Sequence, residues 1–205
     1  MRFRLGLWVL VLGPALPAAA ATRTYVIDAS ASAFQVHVGK SGVLGFAGHT
    51  HEVTADRFEG RVDADPDDLA RSSVELSFEA LGLTVSAQGE PEGDAPKVQE
   101  VMAGSKVLDV SRFPAIRFRS RQVSGRRAAD GAYELQVAGE VSLHGVSRAV
   151  TVPVRVELSG ATLTASGRTT LAQRAFGIEP VTAGGGTVKV KNEVGVEFRI
   201  VARVK

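Results

Sequence analysis

Apolar and polar residues alternate with a period of two along most of the chain. Phe34, Val36 and Val38 are separated by Gln35 and His37, and Val74, Leu76 and Phe78 by Glu75 and Ser77. Successive side chains of an extended strand point to opposite faces, so each run predicts a strand with one buried face. Ile116 and Phe118 continue the pattern against Arg117, Arg119 and Arg121, followed by Tyr133, Leu135, Val137, Val141 and Leu143. The Gly-containing stretch Arg126 to Gly131 between these two runs predicts a turn. Val150, Val152, Val154, Val156 and Leu158 then alternate with Thr151, Arg155 and Glu157, and Leu163, Ala165, Thr169 and Leu171 form the next run. Ser159-Gly160 predicts the hairpin loop between them. The longest clean strand closes the chain, with Val194, Val196, Phe198, Ile200, Ala202 and Val204 on one face. Only Pro96 to Leu108 has helical spacing, with Val98, Val101, Met102 and Ser105 on one side and Asp94 placed to cap its start. Loops are expected at Gly39 to Gly48, Gln88 to Ala95 and Thr182 to Thr187.

About eight strands and one short helix make an all-β chain, and the edges of its antiparallel sheet must be hidden. Closure into a barrel does this without a second domain, a two-sheet sandwich being the competing arrangement. An eight-stranded barrel is either filled by its own side chains or just wide enough for one small ligand. The pattern alone favours filling.

The first residues belong to a different kind of segment. Arg2 and Arg4 precede a short apolar run, Leu5 to Leu12, and Ala18 to Ala21 offers the small residues that signal peptidase requires. Residues 1–21 are therefore expected to be a signal peptide and residues 22–205 one β-barrel domain, in the periplasm or secreted. The apolar run is far short of the roughly 20 residues that cross a bilayer, and Pro14 and Pro17 interrupt its continuation, so no stable membrane span is expected after cleavage. The chain has no cysteine, which excludes a disulfide scaffold or a Cys-linked lipid anchor and leaves stability to a core. Without Arg2 and Arg4, 22 basic residues balance 22 acidic ones. Neither net charge nor a basic stripe then points to nucleic acid.

Several segments, in order, resemble the YceI-like family of secreted or periplasmic lipid-binding domains. Thr24 to Asp28 is similar to the family's opening strand and Ser72 to Leu76 to its next patterned one. Val107-Leu108-Asp109-Val110-Ser111-Arg112-Phe113-Pro114-Ala115-Ile116-Arg117-Phe118-Arg119-Ser120 is the most specific piece, resembling a helix end, an Asp-Val turn, an aromatic-Pro step and a strand. Gly139 to Arg148 looks like the family's His-Gly hairpin, and Phe176-Gly177-Ile178 precedes the closing strand. The resemblance implies a lipocalin-like barrel whose lumen holds a polyisoprenoid or a fatty amphiphile, with no cofactor and no catalytic residues. It moves the expectation from a filled barrel to a cavity, lined by Phe34, Val36, Phe78, Phe118, Phe198 and Ile200. Gly48-His49-Thr50-His51-Glu52 departs from commoner members and leaves the ligand open. The oligomeric state is open too, a homodimer among the options.

His49 and His51 carry the alternative reading. Two imidazoles two positions apart on an extended segment point the same way and could share a metal, in a carrier or a metal-dependent enzyme. Glu52 would point oppositely, so a third ligand would have to come from His37, His144 or an acid. His144, before Gly145, reads most simply as a turn residue. A serine nucleophile would need a strand-to-helix elbow, and the sequence has no such pattern.

Overall fold

The computed structural model describes residues 22–41, 50–88, 90–183 and 188–205. The expected signal peptide, His49 and most of the loop before it lie outside these residues.

The alternating runs form an antiparallel sheet rolled into a closed barrel. Its strands are β1 (Arg23–Ile27), β2 (Ala33–Ser41), β3 (His51–Ala55), β4 (Phe58–Ala64), β5 (Ser73–Glu79), β6 (Leu83–Val85), β7 (Ala115–Arg127), β8 (Tyr133–Leu143), β9 (Val146–Ser159), β10 (Thr162–Ala172), β11 (Thr182–Ala183) and β12 (Val188–Val204). The wall runs β1-β4-β5-β7-β8-β9-β10-β12, and β12 pairs back with β1. β2, β3 and β6 extend this wall, because β1 with β2, β3 with β4 and β5 with β6 are the halves of three bent arms. β2 pairs with β3 and β3 with β6, as β1 does with β4 and β4 with β5. The result is an eight-stave, up-and-down barrel in which chain neighbours are also spatial neighbours. β2 reaches Ser41, so the loop expected from Gly39 starts later.

The first bend has a local cause. Between β1 and β2 the chain makes a 3-10 turn, Ala29–Ala31, whose Ala31 amide donates to the Asp28 carboxylate at 3.2 Å. The Ser32 hydroxyl donates to the Asp28 carbonyl at 2.7 Å and accepts from the Val201 amide at 2.9 Å. The unbroken β12 is thus stitched to both halves, and the bend's hydrogen bonds replace part of the ladder it interrupts.

The helix α1 (Ala95–Ala103) spans the connection from β6 to β7 and ends five residues before the expected Leu108. Gly104 stops it, and the chain continues in turns that return the Leu108 and Val110 amides to the Met102 and Ala103 carbonyls. Asp94 precedes it in helical geometry but accepts from Lys97 Nζ at 3.1 Å instead of capping an amide. Gln99 performs the helix's main task. Its side-chain amide donates to the Leu83 carbonyl at 2.9 Å and accepts from the Val85 amide at 2.8 Å, taking the place of a neighbouring strand along β6.

Two hairpins follow the turn rules. His144 (φ 52°) and Gly145 (φ 73°) both occupy the left-handed region, as a two-residue turn between right-twisting strands requires. The β9–β10 loop is Gly160-Ala161, one position later than expected, because Ser159 still pairs with Thr162. The inner face carries two apolar clusters. One, at the end away from α1, centres on Tyr25, Val123, Leu163 and Ala202; the other joins Val53, Phe58, Phe78 and Leu108 beneath the helix.

Candidate functional site

A cavity of about 300 Å³ runs through the barrel. Each of the six residues expected to line a lumen does line it: Phe34, Val36, Phe78, Phe118, Phe198 and Ile200. Cross-strand partners share a face, and the registers place Phe34 opposite Phe198, Val36 opposite Val196, Phe78 opposite Ile116 and Ile200 opposite Ala165. The remaining lining is dominated by Val and Leu, including Val150, Val152, Val154, Leu163 and Leu171.

The aromatic rings set its shape. Phe34 meets Phe78 at 4.6 Å between centroids and Phe198, nearly parallel, at 6.0 Å; Phe58 stacks on Phe78 at 5.1 Å. Phe118 and Phe198 lie over glycines of the neighbouring strands. A Cβ on Gly139 would stand 2.7 Å from Phe118 Cζ, and one on Gly167 would stand 2.7 Å from Phe198 Cζ. With no side chain beneath, each ring lies against the backbone wall and leaves room at the barrel's centre.

The few polar groups along the lining sit toward its ends. Asp65, 2% exposed, accepts from the Asp67 and Asp68 amides at 3.2 and 3.1 Å, and the Arg71 guanidinium lies 3.4 Å away. That is a satisfied turn carboxylate. Thr169 and Gln173 lie at the opposite end. Arg119 and Arg121 pair with Glu75 and Glu140 at 3.1 and 2.8 Å on the exterior, and Arg117 is exposed, as the alternation requires. After Ser120 the β7–β8 register shifts, which brings Val123 rather than Gln122 to the inner face.

The histidines are dispersed. His51 is buried on the inner side of β3 and bonds the Glu90 carboxylate, itself only 2% exposed. His37 lies outside, half-exposed, against Glu52, with Glu197 at 4.0 Å. His144 stays in its turn, stacked edge-on to Phe113 at 5.0 Å. Neither His37 nor His144 joins His51, and the described residues contain no group of three or more potential metal ligands. Glu90 is the partner that sequence reasoning missed, since nothing in a polar loop marks which acid folds back.

The family model described as "YceI-like domain" matches residues 25–202. The fold resembles Burkholderia cenocepacia BcnA, with a TM-score of 0.65 at 23% identity, over 85% of this chain and 98% of that one. It also resembles a polyisoprenoid binding domain from Saccharophagus degradans implicated in plant cell wall breakdown, with a TM-score of 0.66 at 12% identity, over 88% and 98% of the two chains. A Campylobacter jejuni YCEI protein follows with a TM-score of 0.58 at 10% identity, over 75% and 84%. No curated protein matches the sequence.

Proposed function

Because the chain belongs to the YceI-like domain family, we propose that it is a binding protein that encloses the hydrocarbon part of one long-chain ligand, a polyisoprenoid or a fatty amphiphile. The observation that carries this reading is the continuous apolar cavity, open along the middle of a barrel that could have been filled. Its size falls at the lower end of the range of small-molecule sites. Burying ten methylenes at roughly 0.8 kcal/mol each contributes on the order of 8 kcal/mol, from which association and ordering costs are subtracted, so the hydrocarbon supplies the main driving force for binding. The polyisoprenoid binding domain among its structural relatives supports the ligand class. The leader-like residues 1–21 support export to the periplasm or beyond, where a long-chain lipid needs a carrier through water. The reading assigns the protein no reaction.

Mass spectrometry of organic extracts from the purified protein, together with titration of the delipidated protein by a fluorescent fatty-acyl or prenyl probe, tests it. A stoichiometric long-chain lipid and saturable probe binding are expected. A lipid-free extract combined with no probe binding would show that the lumen holds no ligand.

A further inference from the structure

The barrel wall is not hydrogen-bonded all the way round. β9 and β10 pair from Ser159 and Thr162 down to Val154 and Gly167, and the ladder stops there. β9 nevertheless stays paired with β8 as far as Val146, and β10 with β12 as far as Ala172. Among the described residues, Val146–Pro153 and Arg168–Ala172 share no ladder, which leaves a parting in the side of the barrel. Pro153 stands where it begins, with no N–H to give, and a Cβ on Gly167 would come within 2.6 Å of its carbonyl oxygen. Val150, Thr169 and Leu171 line the lumen beside the parting and are only half-buried. An exterior groove that includes Pro153 and Gly167 shares Leu135, Val154 and Phe198 with the lumen, so the wall there is one residue thick.

The segment after β10 stops the parting. Gln173–Phe176 forms a 3-10 turn closed by Gly177 (φ 74°). Phe176 is 2% exposed, and Ile178 is 3% exposed and lines the lumen. This plug is tied to β12 on one side: Gln173 Nε2 donates to the Lys191 carbonyl at 2.7 Å, the Arg174 amide to Asn192 Oδ1 at 3.0 Å and the Val190 amide to the Val181 carbonyl at 2.9 Å. Toward the β8–β9 hairpin it has, among the described residues, one side-chain hydrogen bond, from His144 Nδ1 to the Phe176 carbonyl at 3.2 Å. A carbonyl only accepts, so Nδ1 carries the proton.

Tyr25 and Leu163 pack at one end of the barrel, and Met102, Val107 and Leu108 line the lumen toward the other. The geometry points to lateral loading: the hydrocarbon chain passes between β9 and β10 while the Phe176–Ile178 plug swings away from the β8–β9 hairpin on its attachment to β12, and the plug then closes behind it. This rests on the carrier reading above. A gate changes how fast a ligand moves without changing how well the closed state holds it, so association and dissociation rates shift together.

Stopped-flow loading of a fluorescent fatty-acyl probe into the full chain tests this. His144→Gly keeps the left-handed turn and removes the tether. It is expected to raise the association and dissociation rates by about three- to tenfold each, the effect of one lost hydrogen bond, with the dissociation constant changed less than about twofold. Ile178→Ala should also raise the dissociation rate, and because Ile178 lines the lumen it weakens binding as well. In the unaltered protein, hydrogen exchange across residues 173–181 should slow on loading, a measurement that does not depend on any variant folding. Unchanged rates in folded His144→Gly, or protection on loading confined to the Asp65–Arg71 turn, would overturn lateral loading while leaving the carrier reading intact. Failure of the unaltered protein to bind the probe removes both.

Discussion

The far end of the barrel and its middle are built from the same alternation and hold different things. Away from the helix, Tyr25, Leu163 and Ala202 are at most 2% exposed, and the Asp65 turn folds across the end with its carboxylate satisfied. Along the middle of the barrel, Phe34, Val36 and Phe198 are only half-buried, and each lines the cavity. Period-two patterning decides which face of a strand turns inward; whether the inward faces touch depends on side-chain volumes summed across the barrel. The far end is a core and the middle a container.

The sharpest way to break this distinction is to put charge into the container. Phe118→Glu places a carboxylate among apolar groups, costing several kcal/mol unless it takes up a proton, and should abolish probe loading or unfold the barrel; Phe78→Glu should do the same. Probe titration with circular dichroism separates the two outcomes. Truncating one aromatic in each region comes next. Tyr25→Ala should lower stability by about 3–5 kcal/mol in urea denaturation, because its neighbours cannot close the hole. Phe34→Ala, whose ring already faces open volume, should cost about half as much while weakening probe binding. If the two cost the same, the container is packed after all. Gly139→Ala sets a Cβ 2.5 Å from the Arg119 carbonyl oxygen and against Phe118. A loss of about 1–3 kcal/mol is expected, as for other overpacked sites, along with an altered probe spectrum as the ring moves inward. The smallest effect belongs to the exterior. Arg119→Glu breaks an exposed ion pair with Glu75 and should change stability by under about 1 kcal/mol and leave loading untouched.

Much of this was legible in the sequence, because strand faces are local. The inward placement of Phe118, Phe198 and Ile200 follows from counting by twos. The bends were not legible, since the break at Asp28–Ser32 depends on a hydrogen bond to Val201, remote in the chain. The sequence pattern carries the helix five residues past its end at Ala103, because Val107 and Leu108 keep helical spacing while packing in turns after Gly104. The β7–β8 register shift is silent in the sequence for the same reason. The parting between β9 and β10 left one trace, Pro153 in a valine-rich strand, which takes on meaning only once both neighbours of that strand are known. His51 and Glu90 are joined by the way a polar loop folds back, which residue spacing does not encode.

The seam between β1 and β12 has a consequence in time. It joins Asp28 to Arg203, 175 positions apart, and the same β12 also supplies the edges that β2 and β10 need. No shorter stretch of chain can close the ring. Until the last strand is present, β10 and the first arm stand with open edges, the state in which sheet proteins associate wrongly. Pairings of such long range also make for slow folding, on the order of milliseconds to seconds. Maturation of this barrel is therefore a single late event that depends on its final seventeen-residue strand, and a chaperone that guards it has to hold nearly the whole chain at once.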